Sequence, residues 1–197
     1  SESDQDLGWK TKKIYQYNST TSTDEVGQFN GIYNEALTEF DGDNKTIKGM
    51  IISNTFGQGA GNAGLFRYVD NDLTIKNLRL SEIEVDGDSG NAGAFVGEKA
   101  GSGLLTLDTV LADAESKEIT GTNAGGLVGL SSTNLTINNS AASMLVTASG
   151  AAGGLVGKLE PVTAETEETG ETEDTAVSAT ITNSYVGGHV TNRKYYV

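Results

Sequence analysis

The sequence predicts an all-β chain, a right-handed parallel β-helix (a β-solenoid) of about five coils with an N-terminal cap. Three observations lead there. A unit of about thirty residues recurs along the chain, 26 glycines stand against a single proline, and no segment carries a convincing apolar stripe at helical period. Self-similarity at such a period is the mark of a solenoid, in which each unit buries its inward face only by stacking on the next. Glycine this abundant disfavours helix interiors and suits tight bends between short strands. At 197 residues one domain with its own core suffices.

The first 40 residues lack the clean repeat and carry Trp9, Tyr15, Tyr17, Phe29, Tyr33 and Phe40. They read as the N-terminal cap (1–40), because a solenoid exposes open strand edges at its ends. Within it, residues 34–39 have the composition of one short helical turn. The repeats occupy 41–197 and rest on two anchors. One is a small residue, Gly and two apolar residues, with Gly64, Gly93, Gly126 and Gly154 aligned at intervals of 29, 33 and 28. The other is Thr followed by an aliphatic residue: Thr46-Ile47, Thr74-Ile75, Thr106-Leu107, Thr136-Ile137 and Thr180-Ile181, at intervals of 28, 32, 30 and 44. The long last interval holds the acidic stretch 160–176, and removing those 17 residues leaves 27. That stretch reads as an inserted, solvated loop.

Side chains alternate across a strand, so Ile47, Ile75, Leu107, Ile137 and Ile181 are expected to stack inward as an aliphatic ladder while the preceding Thr faces solvent. Three residues after each anchor Thr come Gly49, Asn77, Thr109, Asn139 and Asn183. Asn77, Asn139 and Asn183 then fall at one corner. There they either form a ladder of stacked amides or simply tolerate left-handed turn geometry. A third apolar patch follows at Ile83 to Val85, Ile119, Leu145-Val146 and Val186 to Val190.

The formal charge is −14. It argues against nucleic acid and anionic membrane surfaces as partners. No run of 18 apolar residues exists, so membrane insertion is not expected, and the absence of cysteine removes disulfides and thiolate sites. The start without Met and the stop at Val197, in mid-repeat, suggest part of a longer chain.

The anchors resemble the GLUG-motif repeats of bacterial surface proteins. Gly126-Leu127-Val128-Gly129 with Thr136-Ile137-Asn138-Asn139-Ser140 matches that pattern, as does Gly154-Leu155-Val156-Gly157 with Thr180-Ile181-Thr182-Asn183-Ser184-Tyr185. Phe40-Asp41-Gly42-Asp43-Asn44-Lys45-Thr46-Ile47 is similar to the lead-in found before such repeats. Two copies depart from the motif: Gly64-Leu65-Phe66-Arg67 lacks the closing Gly, and Gly93-Ala94-Phe95 has Ala for Leu. The resemblance covers roughly residues 40 to 190. It implies an extracellular, adhesin-like protein of the bacterial cell surface, or a non-catalytic arm of a secreted metallopeptidase, with a host glycan or protein as partner. It carries no catalytic residues.

Nucleophile–base catalysis needs an imidazole or equivalent beside Ser or Thr, and the one histidine, His189, lies in a strand pattern that reads as a solvent-facing position. A multi-histidine or cysteine zinc site is excluded by the same counts. No catalytic residue, cofactor-binding residue or cofactor is assigned. Carboxylates are plentiful, so a glycan-active hydrolase or lyase is the competing expectation, on fold analogy alone. Asp41 and Asp43, and Asp86 and Asp88, offer the hard oxygens that calcium prefers, although neither stretch is an EF-hand loop and acidic turns between strands are the preferred reading. A flat face of aligned Thr would favour adhesion, and is also compatible with recognition of ordered water.

Overall fold

The computed structural model describes residues 29, 31–53, 61–161, 163–165, 172–174 and 176–193; for 114–116, 163–165 and 172–174 the description is of the backbone alone. Strands run in the order β1 (Glu39–Lys48), β2 (Ile51–Ser53), β3 (Phe66–Val69), β4 (Leu73–Ser81), β5 (Glu84–Asp86), β6 (Asn91–Gly93), β7 (Val96–Lys99) and β8 (Leu105–Gly125). They continue as β9 (Val128–Ser131), β10 (Leu135–Asn138), β11 (Ala141–Gly153), β12 (Val156–Leu159), β13 (Thr163–Glu165), β14 (Thr172–Asp174), β15 (Ala179–Thr182) and β16 (Tyr185–Asn192). Among the described residues there is no helix, and hence none long and apolar enough to cross a membrane.

All ladders but one are parallel. The first face stacks β1-β4-β8-β10-β15, and the third stacks β3-β7-β9-β12. The second face is formed by β2, β5, the later part of β8, β11 and β16. The chain is therefore a parallel β-solenoid. Three turns run without a break, 73–99, 105–131 and 135–159. The count of five expected from sequence includes two incomplete ones: the turn begun by β1 is interrupted at 54–60, and that begun by β15 has no third-face strand among the described residues.

The core is a set of columns, each contributed one residue per turn. Ile75, Leu107 and Ile137 are fully buried and stack in register, as do Val85, Ile119 and Val146 on the second face and Val96 and Val128 on the third. Each buried aliphatic side chain contributes about 1.5–3 kcal/mol relative to exposure.

Two alignments expected from sequence shift. In the first turn Glu39 and Phe40, not Thr46 and Ile47, pair with Thr74 and Ile75; Ile47 stacks instead on Leu80. The cause is an irregularity at 42–44, where three residues oppose Asn77 and both Asp43 and Asn44 adopt positive φ. Likewise Gly93 pairs with Gly125, and Gly125 with Gly153, so that the later two partners lie one residue before the glycines expected to align. The closing glycines leave no room for a side chain. A Cβ on Gly129 would lie 2.5 Å from Gly97 O and 2.6 Å from Ala92 N, because successive turns meet there backbone to backbone.

Of the expected cap, residues 1–28 and 30 lie outside the described residues. Phe29 and Ile32 form parallel bridges with Ile52 and Phe66, which places them one rung before β2 and β3. The helical turn expected at 34–39 is instead a turn in which Asn34 Oδ1 accepts the Ala36 N–H, and β1 begins at Glu39. A short polar side chain that can accept from the backbone two residues on favours this turn over a helix. Within the acidic insertion, β13 and β14 pair antiparallel. Part of what reads as loop is thus a two-stranded ladder; residues 162, 166–171 and 175 lie outside the described residues.

Candidate functional site

The outward side of the first face carries a column of hydroxyls. Thr74, Thr106, Thr136 and Thr180 occupy equivalent positions on four consecutive rungs. Two residues further along each strand stands a second column, Lys76, Asp108, Asn138 and Thr182. Thr precedes an inward aliphatic residue in every turn, so the pleat itself turns the hydroxyls to solvent. At the N-terminal end of this face Lys76 Nζ bonds Glu39 at 2.9 Å and lies 3.6 Å from Asp41. The Glu39 bond comes first in holding its ammonium pKa above the ordinary lysine value.

The corner asparagines all take the left-handed geometry, and one pair, Asn139 and Asn183, also bonds amide to amide. Asn77, Asn139 and Asn183 have φ of 55°, 50° and 48°, and Thr109 fills the same corner at 57°. Their amides also link rungs: Asn183 Nδ2 donates to Asn139 Oδ1 (3.3 Å), Asn139 Nδ2 to Asp108 Oδ1 (3.0 Å) and Asn77 Nδ2 to Asp41 Oδ1 (3.1 Å). Ile181 departs from expectation. It continues the ladder of Ile137 but is 46% exposed, because among the described residues no rung lies beyond β15.

The carboxylates considered for calcium hold turns. Asp41 Oδ1 accepts the Asp43 N–H at 2.9 Å, and Asp86 Oδ1 accepts the Asp88 N–H at 2.9 Å and the Thr120 hydroxyl at 3.0 Å. The Asp43 N–H and then the Asn77 amide hold the Asp41 carboxyl below its usual range. Asp43 meets Lys45, and Asp88 is exposed at positive φ. Among the described residues no three His, Cys, Asp or Glu side chains converge as a metal site. His189 is exposed on β16, in register with Leu145.

Sequence reasoning missed a second polar ladder, inside the wall where the second face meets the third. Asn91 donates both its backbone N–H and its Nδ2 to Asn62 Oδ1, at 2.9 and 3.0 Å, and accepts from Asn123 Nδ2 at 2.8 Å. Glu98 Oε2 accepts from Asn62 Nδ2 (2.6 Å) and Asn91 Nδ2 (3.2 Å). The signal was present as the triplet Asn-Ala-Gly at 62–64, 91–93 and 123–125. Asn62 is 6% exposed, and a buried amide of this kind needs partners.

Glu98 opens onto an aromatic patch of the third face. Tyr68 stands beside it in register. Burial, then the Glu98 and Asp70 charges, raise the Tyr68 phenol pKa. Tyr33 meets Tyr68 edge-on with centroids 5.9 Å apart. The Arg67 guanidinium lies 5.7 Å from the Tyr33 ring centre and donates to Gly31 O at 2.7 Å. Tyr33 Oη is 2.5 Å from Glu35 Oε1 and 3.1 Å from Asp70 Oδ2, and the Glu35 bond leads in raising its pKa.

Lys99, at the corner between the third face and the first, is fully buried. Its Nζ donates to Ala100 O (2.6 Å) and Ser102 O (2.8 Å), and burial lowers its pKa. Compared with protein-family models, with curated proteins and with solved structures, the chain matches none.

Proposed function

We propose that this β-solenoid is a non-catalytic structural and adhesive module of a secreted or surface-attached bacterial protein, presenting a rigid face to a host glycan or protein. The observation that carries the reading is the column Thr74, Thr106, Thr136 and Thr180, held in register by parallel pairing. Each hydroxyl both donates and accepts, and the rung spacing of about 4.8 Å repeats the group along the axis. Such a face suits an extended, polyhydroxylated polymer. The neighbouring column contains Lys76 and Asp108, which favours a hydrogen-bonding polymer over ordered water alone. The resemblance of the anchors to GLUG-motif repeats points the same way and supplies the bacterial surface setting.

A glycan-array screen of the soluble chain, with and without calcium and with product analysis of each hit, tests this. Retention of glycan without cleavage, weakened in Thr136→Ala, is the expected result. A cleaved product would replace the reading with the glycan-active alternative. Binding that appears only with calcium would give Asp41, Asp43, Asp86 or Asp88 a ligand role beyond their turns.

A further inference from the structure

We propose that the Tyr68–Glu98 step on the third face is a subsite for an uncharged pyranose ring. This rests on the adhesive reading above and assigns it a second place, away from the threonine column, and a ligand class.

Three features converge there. First, the Glu98 carboxylate is pre-set: both amide bonds, from Asn62 and Asn91, go to Oε2, and those amides are held in turn by the Asn62–Asn91–Asn123 ladder. A carboxylate fixed in this way accepts from neighbouring hydroxyls without losing rotamer freedom on binding. Second, Tyr68 occupies the adjacent rung in register, so an aromatic ring and a phenol stand one strand spacing, about 4.8 Å, from that acceptor. A pyranose offers the matching pair: C–H groups for the ring and adjacent hydroxyls for the carboxylate. Third, Tyr68 is buttressed edge-on by Tyr33, which is itself tied to Glu35 and Asp70.

Charge selects among sugars. Glu35, Asp70 and Glu98 outnumber the Arg67 guanidinium and the buried Lys99 ammonium around the step, on a chain of formal charge −14, so uronic and sialic acids are repelled. An ammonium ligand is less well served, because the Tyr33 ring already carries the Arg67 guanidinium.

Saturation-transfer NMR at millimolar concentration tests the assignment. The probes are methyl β-glucopyranoside, methyl β-galactopyranoside, N-acetylglucosamine, N-acetylneuraminic acid and choline. They are read on the unaltered chain and on Tyr68→Ala, Glu98→Gln and Lys117→Ala, the last an exposed second-face residue paired with Glu84, each checked for unchanged circular dichroism. At least one neutral sugar is expected to take up saturation. Its affinity is expected to fall about tenfold or more in Tyr68→Ala and in Glu98→Gln, the loss of about one good contact, and to be unchanged in Lys117→Ala. Neutral-sugar binding that survives Tyr68→Ala and Glu98→Gln overturns the subsite and leaves the adhesive reading standing. Preference for choline or N-acetylneuraminic acid overturns the ligand class. Silence from every probe also overturns the subsite, while retention of longer glycans on the array decides the adhesive reading separately.

Discussion

Ile137 and Ile181 occupy the same column on consecutive rungs, paired Cα to Cα, yet the first is fully buried and the second is 46% exposed. Identical local sequence, Thr-Ile followed two residues later by Asn-Ser, thus has opposite energetic weight according to whether another turn covers it. Ile137→Asp places an unpaired charge in the core and is expected to cost about 4 kcal/mol or more, enough to unfold the stack. Ile181→Asp is expected to cost under about 1 kcal/mol. Thermal melts of the two variants, side by side, check both; equal effects would refute the column assignment.

Thr109 is a β-branched residue in the left-handed region, at a corner where the neighbouring turns place Asn77 and Asn139. Thr109→Asn removes strain of about 1 kcal/mol, and the melting temperature should rise by about 2–4 °C. A fall would show that the Thr109 contact with Asp108 outweighs the backbone term.

Lys99 predicts an alkaline signature. Burial holds its pKa below the ordinary lysine value, whereas the unfolded chain titrates it near about 10.4. Between those values the unfolded state binds more protons than the folded one, so this group's contribution to stability rises with pH and is least favourable at neutral pH. Lys99→Met should be at least as stable as the parent at pH 7, since the corner it leaves is half-buried at Ala100 and exposed at Ser102, and the parent should gain on the variant as pH climbs towards about 10.4. Urea midpoints from pH 7 to 11 measure the difference; a constant gap would refute the assignment.

Asn91 makes four hydrogen bonds to three partners, Asn62, Glu98 and Asn123, in one half-buried network. Asn91→Ala strands the Asn123 amide and one acceptor site on Asn62, for an expected loss of about 1–3 kcal/mol by urea denaturation. The same loss should appear in Asn62→Ala and should not add when the two are combined, because they remove one shared network. Additive losses would mean that the amides act independently.

Read from residues alone, the repeat period, the parallel stacking and the inward Ile75–Leu107–Ile137 column were all legible. The pleat forces alternate residues to opposite sides, and a thirty-residue unit cannot bury its own face. The corner asparagines were legible as a position but not as a choice between backbone geometry and amide bonding; all three take the left-handed geometry, and Asn139 and Asn183 also bond amide to amide. Three things needed the tertiary structure. The register of the first turn depended on an irregularity at 42–44 that lets Phe40 replace Ile47 against Ile75. The Asn62–Asn91–Asn123 ladder and its Glu98 terminus depended on which side of the wall each short strand faced. The Tyr33–Tyr68–Glu98 patch joins residues 30 to 65 positions apart in sequence, brought together on adjacent rungs. The repeat determined that turns would stack, because period and alternation are local properties. Which side chains meet across turns was decided by register, set where backbone irregularities let one turn slip against the next.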